Sequence, residues 1–113
     1  PYVNRGRVRT YMAHQVDDYV RLGREVVEHL SDHVYISIDI DGLDPSICPG
    51  TGTPEPGGLD WYETLDSLRP TCLSGRVVGY DVMEVAPIRG QHITEFTAAK
   101  LIYRMMGWIT QKG

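Results

Sequence analysis

Cysteine occurs only twice, at Cys48 and Cys72, and no CxxC pair is present. The common thiol-based metal and redox motifs are therefore missing. A disulfide between the two stays open on sequence alone, and two free thiols in a reducing cytoplasm are the expected state. Basic residues are too few to build a nucleic-acid stripe: eleven Lys and Arg face fifteen Asp and Glu, for a formal charge of -4. No apolar run approaches the roughly 20 residues of a membrane span, and no signal peptide is visible. HExxH is missing, and the glycine-rich stretch PGTGTPEPGG lacks the Lys-Ser/Thr ending of a phosphate-binding loop. His29 and His33 have the i,i+4 spacing of helical zinc sites, but they straddle the expected helix end at Leu30 and read as surface residues. His14 and His92 have no partner at telling spacing. Methionine does not open the chain; Pro1 does, which is the expectation for a piece of a longer protein.

What remains is an ordinary globular composition, 42% hydrophobic and 23% charged over 113 residues, enough for one small core. Val8–Ala13 (VRTYMA) predicts a short strand. Asp17 or Asp18 caps a helix whose stripe is Tyr19, Leu22, Val26 and Leu30. Val34–Asp41 predicts a strand with Val34, Ile36, Ile38 and Ile40 on one face and Tyr35, Ser37, Asp39 and Asp41 on the other. Cys48–Leu59 (CPGTGTPEPGGL) is too rich in glycine and proline for helix or strand, and its prolines favour an ordered loop. Asp60 and Glu63 form a capping box for a second helix with Leu65 and Leu68 inward. Val77–Val85 predicts a third strand. Thr94 caps a last helix with an apolar stripe of Ala98, Leu101, Ile102, Met105, Met106 and Ile109, the methionine pair being core. This β-α-β-loop-α-β-α order is that of a parallel sheet flanked by helices. Three strands leave raw edges, a second sign of incompleteness.

The chemistry concentrates in SIDIDGLDP, Ser37–Pro45. Two acids leave the same face of an apolar strand where it runs into the glycine-rich turn. An unpaired buried carboxylate is costly, so such groups are paired or bind metal. In open α/β sheets, ligands gather outside the carboxyl ends of the strands. Parallel strands put Glu84 at that same edge, so Asp39, Asp41 and Glu84 converge, and hard oxygen donors suit Mg, Ca or Mn. Asp44 before Pro45 has the pattern of a turn cap and is assigned a structural role.

SIDIDGLDP followed by PGTGTPEPGGL, together with YDVMEVAP at Tyr80–Pro87, resembles the signature of the ureohydrolases: arginase, agmatinase, guanidinobutyrase and relatives. The resemblance implies an α/β fold, a three-layer αβα arrangement with a mostly parallel sheet, of which residues 1–113 are the C-terminal segment of a single catalytic domain. It implies a homo-oligomeric, cytoplasmic hydrolase with two manganese ions that converts a guanidino compound to urea and an amine. Asp39 and Asp41 match metal ligands, Glu84 the carboxylate that pairs with the substrate guanidinium, and Thr53 a pocket threonine beside it. Ser37 and Asp81 are candidate supporting groups, but for Asp81 a structural role is favoured, since its strand should turn it away from Glu84. The family's upstream GGDH and DAHxD ligand motifs do not occur here. The missing N-terminal part of the enzyme is therefore an expected partner, and the segment alone should be inactive. The tail GQHITEFTAAKLIYRMMGWI is similar to agmatinases, which favours agmatine over the arginase and guanidinobutyrase substrates. A DxD-type, haloacid-dehalogenase-like phosphohydrolase and a non-catalytic fragment are the competing readings; Leu43 and the GTGTP loop fit the former badly.

Overall fold

The computed structural model describes residue 6 and residues 8–111. Two parallel strands, β1 (Val34–Asp39) and β2 (Val77–Met83), form the sheet, with Val34 opposite Val77 and Asp39 opposite Met83. Three helices accompany it: α1 (Tyr19–Glu28), α2 (Trp61–Leu73) and α3 (Ile93–Ile109). α2 is the crossover between the strands, so both strands end at the same edge.

Alternation in β1 carries the layer order. Val34 is buried and Ile36 and Ile38 are half-buried, while Tyr35, Ser37 and Asp39 are exposed. The inward face packs on α2 and α3 through Leu65, Cys72, Leu101 and Met105, joined by Ile36, Ile38 and Tyr80. A second cluster of Ile40, Leu43, Cys48 and Ala98 lies under the strand end. The outward face carries no helix among the described residues: Tyr35 is 61% exposed, and its phenol and the Ser37 hydroxyl both donate to Asp81, each at 2.8 Å. One side of an αβα sandwich is thus built and the other is bare.

Several expectations shift. Val8–Met12 forms no strand, and Ala13–Gln15 is a single 3-10 turn. β propensity alone does not make a strand without a neighbour to pair with. β1 stops at Asp39, and Ile40–Gly42 tighten into a 3-10 turn closed by Leu43 N donating to Ile40 O at 3.1 Å. Met105 is fully buried but Met106 is half exposed, because the buried stripe of α3 runs Thr94, Ala98, Leu101, Met105. The cap of α3 is His92, and Thr94 lies inside the helix. Asp18 caps α1 by accepting from Arg21 N, and the Asp60–Glu63 capping box of α2 forms in both directions. Cys48 and Cys72 are free and buried, and burial pushes both thiols up, Cys72 to about 11, which disfavours the thiolate form.

α1 docks on α2 at one contact of unusual closeness. Pro70 inside α2 has no N–H, which leaves the Asp66 carbonyl without its helical partner. Gly23 of α1 sits on that carbonyl: a Cβ there would lie 2.6 Å from Asp66 O and 3.0 Å from both Pro70 Cγ and Ser67 O. Alanine in a helix interior is worth up to about 1 kcal/mol over glycine, but overpacking typically costs about 1–3 kcal/mol. The atom met is backbone and yields little, so Gly23→Ala is expected to destabilise the protein. Urea denaturation should show a lower midpoint at unchanged slope; an equal or higher midpoint would mean that the helices separate freely.

Candidate active-site edge

The apolar side of β1 fixes where the acids go. Ile40, fully buried, sits between Asp39 and Asp41 and pins the strand end to the second core cluster. Asp39 is the last strand residue and is exposed; Asp41 lies in the 3-10 turn and is half-buried. The two acids therefore share the edge through a turn rather than through continued strand alternation. Ion pairs compete for neither: among the described residues, the one such contact is His92–Glu95.

The Gly/Pro loop is ordered, and Asp44 is its anchor. Asp44 Oδ1 accepts from Ser46 N at 2.9 Å and Oδ2 from Gly57 N at 3.2 Å. Hydrogen bonds from Ser46, then Gly57 and Gly58, hold its carboxyl below the usual carboxylate range. Asp44 N donates to Leu59 O and Leu59 N to Gly42 O, closing the base of the loop. Gly58 passes so near that a Cβ would lie 2.6 Å from Asp44 N and Leu43 C. Asp44 thus has the structural role its position before Pro45 suggests. The closed loop returns Thr53 to the strand end, where its hydroxyl donates to Asp41 Oδ2 at 2.6 Å.

Glu84 follows Met83, the residue paired with Asp39. Neighbouring strands lie about 4.8 Å apart, so Glu84 leaves the sheet beside the acid pair. Its backbone carries a feature that the sequence does not announce. Glu84 has φ +71°, and it is the only non-glycine residue with positive φ among the described residues. Such a conformation costs a non-glycine residue about 1–2 kcal/mol. Strain of this kind persists where the surroundings enforce it and collects at functional sites. Here it turns the chain sharply at the strand end and leaves the carboxylate exposed at the edge.

Asp39, Asp41, Thr53 and Glu84 are thus brought to one edge. The expected convergence of three carboxylates into one cation site is not met: the described residues contain no group of three or more His, Cys, Asp or Glu able to hold a metal. Glu84 follows a different strand, one residue past the partner of Asp39, where the backbone leaves the strand conformation. His29 caps the C-terminus of α1 and His33 precedes β1, both exposed, which confirms them as surface residues. A surface cleft of about 500 Å³ between α2 and α3 is bounded by Arg69, Lys100 and Arg104. Its charge is the wrong sign for a cationic ligand. No helix of the described residues is long and apolar enough to cross a membrane.

Known proteins place this edge in context. A curated N(1)-aminopropylagmatine ureohydrolase from Synechocystis is 52% identical over 75 residues, covering 66% of this chain and 24% of that protein. Agmatinase from Pyrococcus horikoshii is 42% identical over 83 residues, 74% of this chain and 29% of its own. The chain therefore spans about a quarter of the length of the curated relatives it matches. Among solved structures, proclavaminate amidino hydrolase from Streptomyces clavuligerus superposes with TM-score 0.85 at 34% identity, covering 96% of this chain and 38% of that one. Arginase from Bacillus subtilis superposes with TM-score 0.82 at 29% identity, covering 98% and 39%. These likenesses confirm the arginase-like αβα fold, of which the two-stranded sheet and its single helical layer are a part. The arginase family model matches residues 2–107, nearly the whole chain, and the chain belongs to the arginase family.

Proposed function

We propose that this chain supplies part of the active site of a manganese-dependent ureohydrolase that releases urea from agmatine or an aminopropyl derivative of it. The observation that carries this reading is the edge itself. Two carboxylates that make no ion pair among the described residues flank a pinned isoleucine, and a third acid on a strained backbone leaves the neighbouring strand beside them. The names of the similar proteins, an agmatinase and an N(1)-aminopropylagmatine ureohydrolase, support the substrate class.

The donor set fits a hard divalent cation. Asp39 and Asp41 offer only carboxylate oxygens, and Thr53 occupies one oxygen of Asp41, which fixes how that carboxylate is turned. Asp39 and Asp41 would hold manganese, whose chemical contribution when bound is to acidify a water for attack at neutral pH. Glu84 meets the planar guanidinium with two oxygens through charge-assisted hydrogen bonds and orients its carbon toward the acid pair. Thr53 lines the same pocket. The family membership, with this edge, disfavours the phosphohydrolase reading.

The remaining ligands must come from outside residues 1–113, and the active unit is a longer, homo-oligomeric protein. Two ligands do not make a site, because binding needs a full, fixed set. The 113-residue chain alone is accordingly expected to release no urea from agmatine, arginine or 4-guanidinobutyrate in saturating manganese. Turnover above a metal-only blank would contradict this. In the whole enzyme, urea release from agmatine and from N1-aminopropylagmatine tests the reading itself. Release from neither, with manganese bound, would overturn it.

A further inference from the structure

The two substrate-facing groups of the proposed site, Thr53 and Glu84, lie on separate loops that converge on one buried hydroxyl. Thr94 is 1% exposed, on the buried stripe of α3 in line with Ala98, Leu101 and Met105. Its Oγ1 does not cap the helix. It accepts from Gly50 N at 2.7 Å, in a buried bond. Gly50 in turn accepts, through its carbonyl, from Ala86 N at 2.8 Å. Three pieces of chain therefore meet at Gly50: the Gly/Pro loop three residues before Thr53, the segment two residues after Glu84, and the first turn of α3. The junction admits no side chain at its centre, since a Cβ on Gly50 would lie 2.8 Å from Thr94 Oγ1, 2.9 Å from Thr94 Cβ and 3.0 Å from Ala86 O.

We propose that Thr94 is a positioning residue for substrate: its hydroxyl, through Gly50, fixes the loop carrying Thr53 against the segment carrying Glu84. This deepens the proposed function and rests on it. The strain at Glu84 gives the junction its purpose. A left-handed glutamate relaxes unless its surroundings hold it; Val85 packs on the core cluster directly after it, and the bond from Ala86 to Gly50 is the loop backbone hydrogen bond that follows. The backbones of Asp39 and Asp41 are set by Ile40 and the 3-10 turn, and only the Asp41 carboxylate touches the loop, through Thr53. Loss of the Thr94 hydroxyl should then loosen guanidinium positioning, while the backbones that carry Asp39 and Asp41 stay in place and keep manganese bound. A misplacement of about 1 Å can cost around 100-fold in rate.

The test uses the whole enzyme with Thr94→Val, which keeps the shape of the side chain, and Thr94→Ser, which keeps the hydroxyl. For Thr94→Val the expectation is a loss of about 10- to 100-fold in kcat/KM for urea release, unchanged manganese per subunit, and faster hydrogen exchange at the Gly50 and Ala86 amides. Thr94→Ser should restore all three to near wild type. A valine variant with kcat/KM within twofold of wild type overturns the proposal, as does a serine variant that fails to rescue, because the methyl group would then be what matters. Loss of manganese together with activity also overturns it. Should the valine variant not fold, Thr94→Ala removes the acceptor without setting an apolar group against the amide; failure of both to fold makes Thr94 a determinant of folding and overturns the positioning role. Urea release by the wild-type enzyme is measured first. Its absence would defeat the ureohydrolase reading, and with it the substrate-positioning role, even if the exchange data show the junction intact; its presence with an indifferent Thr94→Val defeats the positioning role alone.

Discussion

Glu84→Gln in the whole enzyme is expected to keep its manganese and to lose between about 30- and 5,000-fold of kcat/KM for urea release. The range follows from charge: truncating one partner of a desolvated, hydrogen-bonded charge pair costs about 2–5 kcal/mol, with tenfold for every 1.4 kcal/mol. Glutamine preserves size and one acceptor oxygen. A guanidinium presents paired N–H donors in a plane, which a carboxylate meets with two oxygens. The amide would turn its NH2 toward one of those donors. Manganese should stay because Glu84 leaves β2 by its own backbone turn, while Asp39 and Asp41 are set by Ile40 and the turn after β1. Parallel measurement of manganese per subunit and of kcat/KM separates the outcomes. Manganese loss would make Glu84 a ligand or its support. Activity within a few-fold of wild type would mean that the guanidinium is held elsewhere.

Asp39→Ala and Asp41→Ala are each expected to strip manganese while leaving the fold intact. Removing a group that merely orients a ligand costs about 10- to 100-fold in metal affinity, so deletion of a ligand should exceed that. The fold should survive because neither side chain contributes to a core cluster: Asp39 is exposed, and Asp41 bonds only to the Thr53 hydroxyl among the described residues. The buried Ile40 between them is untouched. Circular dichroism should therefore superimpose on that of the parent while bound manganese falls. Full occupancy in both variants would make the pair structural.

How far the sequence carried this account depended on whether a residue's role was local. The Asp60–Glu63 capping box, the strand face of Val34, Ile36 and Ile38, and Asp39 at its end are short-range patterns, and each formed as read; of Asp17 and Asp18, the two caps offered for α1, Asp18 is the one used. The strand expected at Val8–Ala13 depended on a partner to pair with, which propensity cannot report. Asp41 was placed on the edge for the wrong reason, since the chain leaves the strand at Ile40 and the period-two alternation ends there. The positive φ of Glu84 had no local signal because no glycine or asparagine marks it; the surrounding structure imposes it. Thr94 read as a cap because threonine often is one. Its spacing to Ala98, Leu101 and Met105 was the available clue that it belongs to the buried stripe, and only the distant Gly50 reveals what the hydroxyl does there.

The proposed division of labour at the edge, metal on Asp39 and Asp41 and guanidinium on Glu84, is tested most directly by anomalous scattering at the manganese edge from crystals of the whole enzyme with manganese and agmatine. The account predicts manganese peaks in bonding contact with Asp39 and Asp41, none in contact with Glu84, and the guanidinium facing the Glu84 carboxylate. Manganese bonded to Glu84, or none at the aspartate pair, would contradict it.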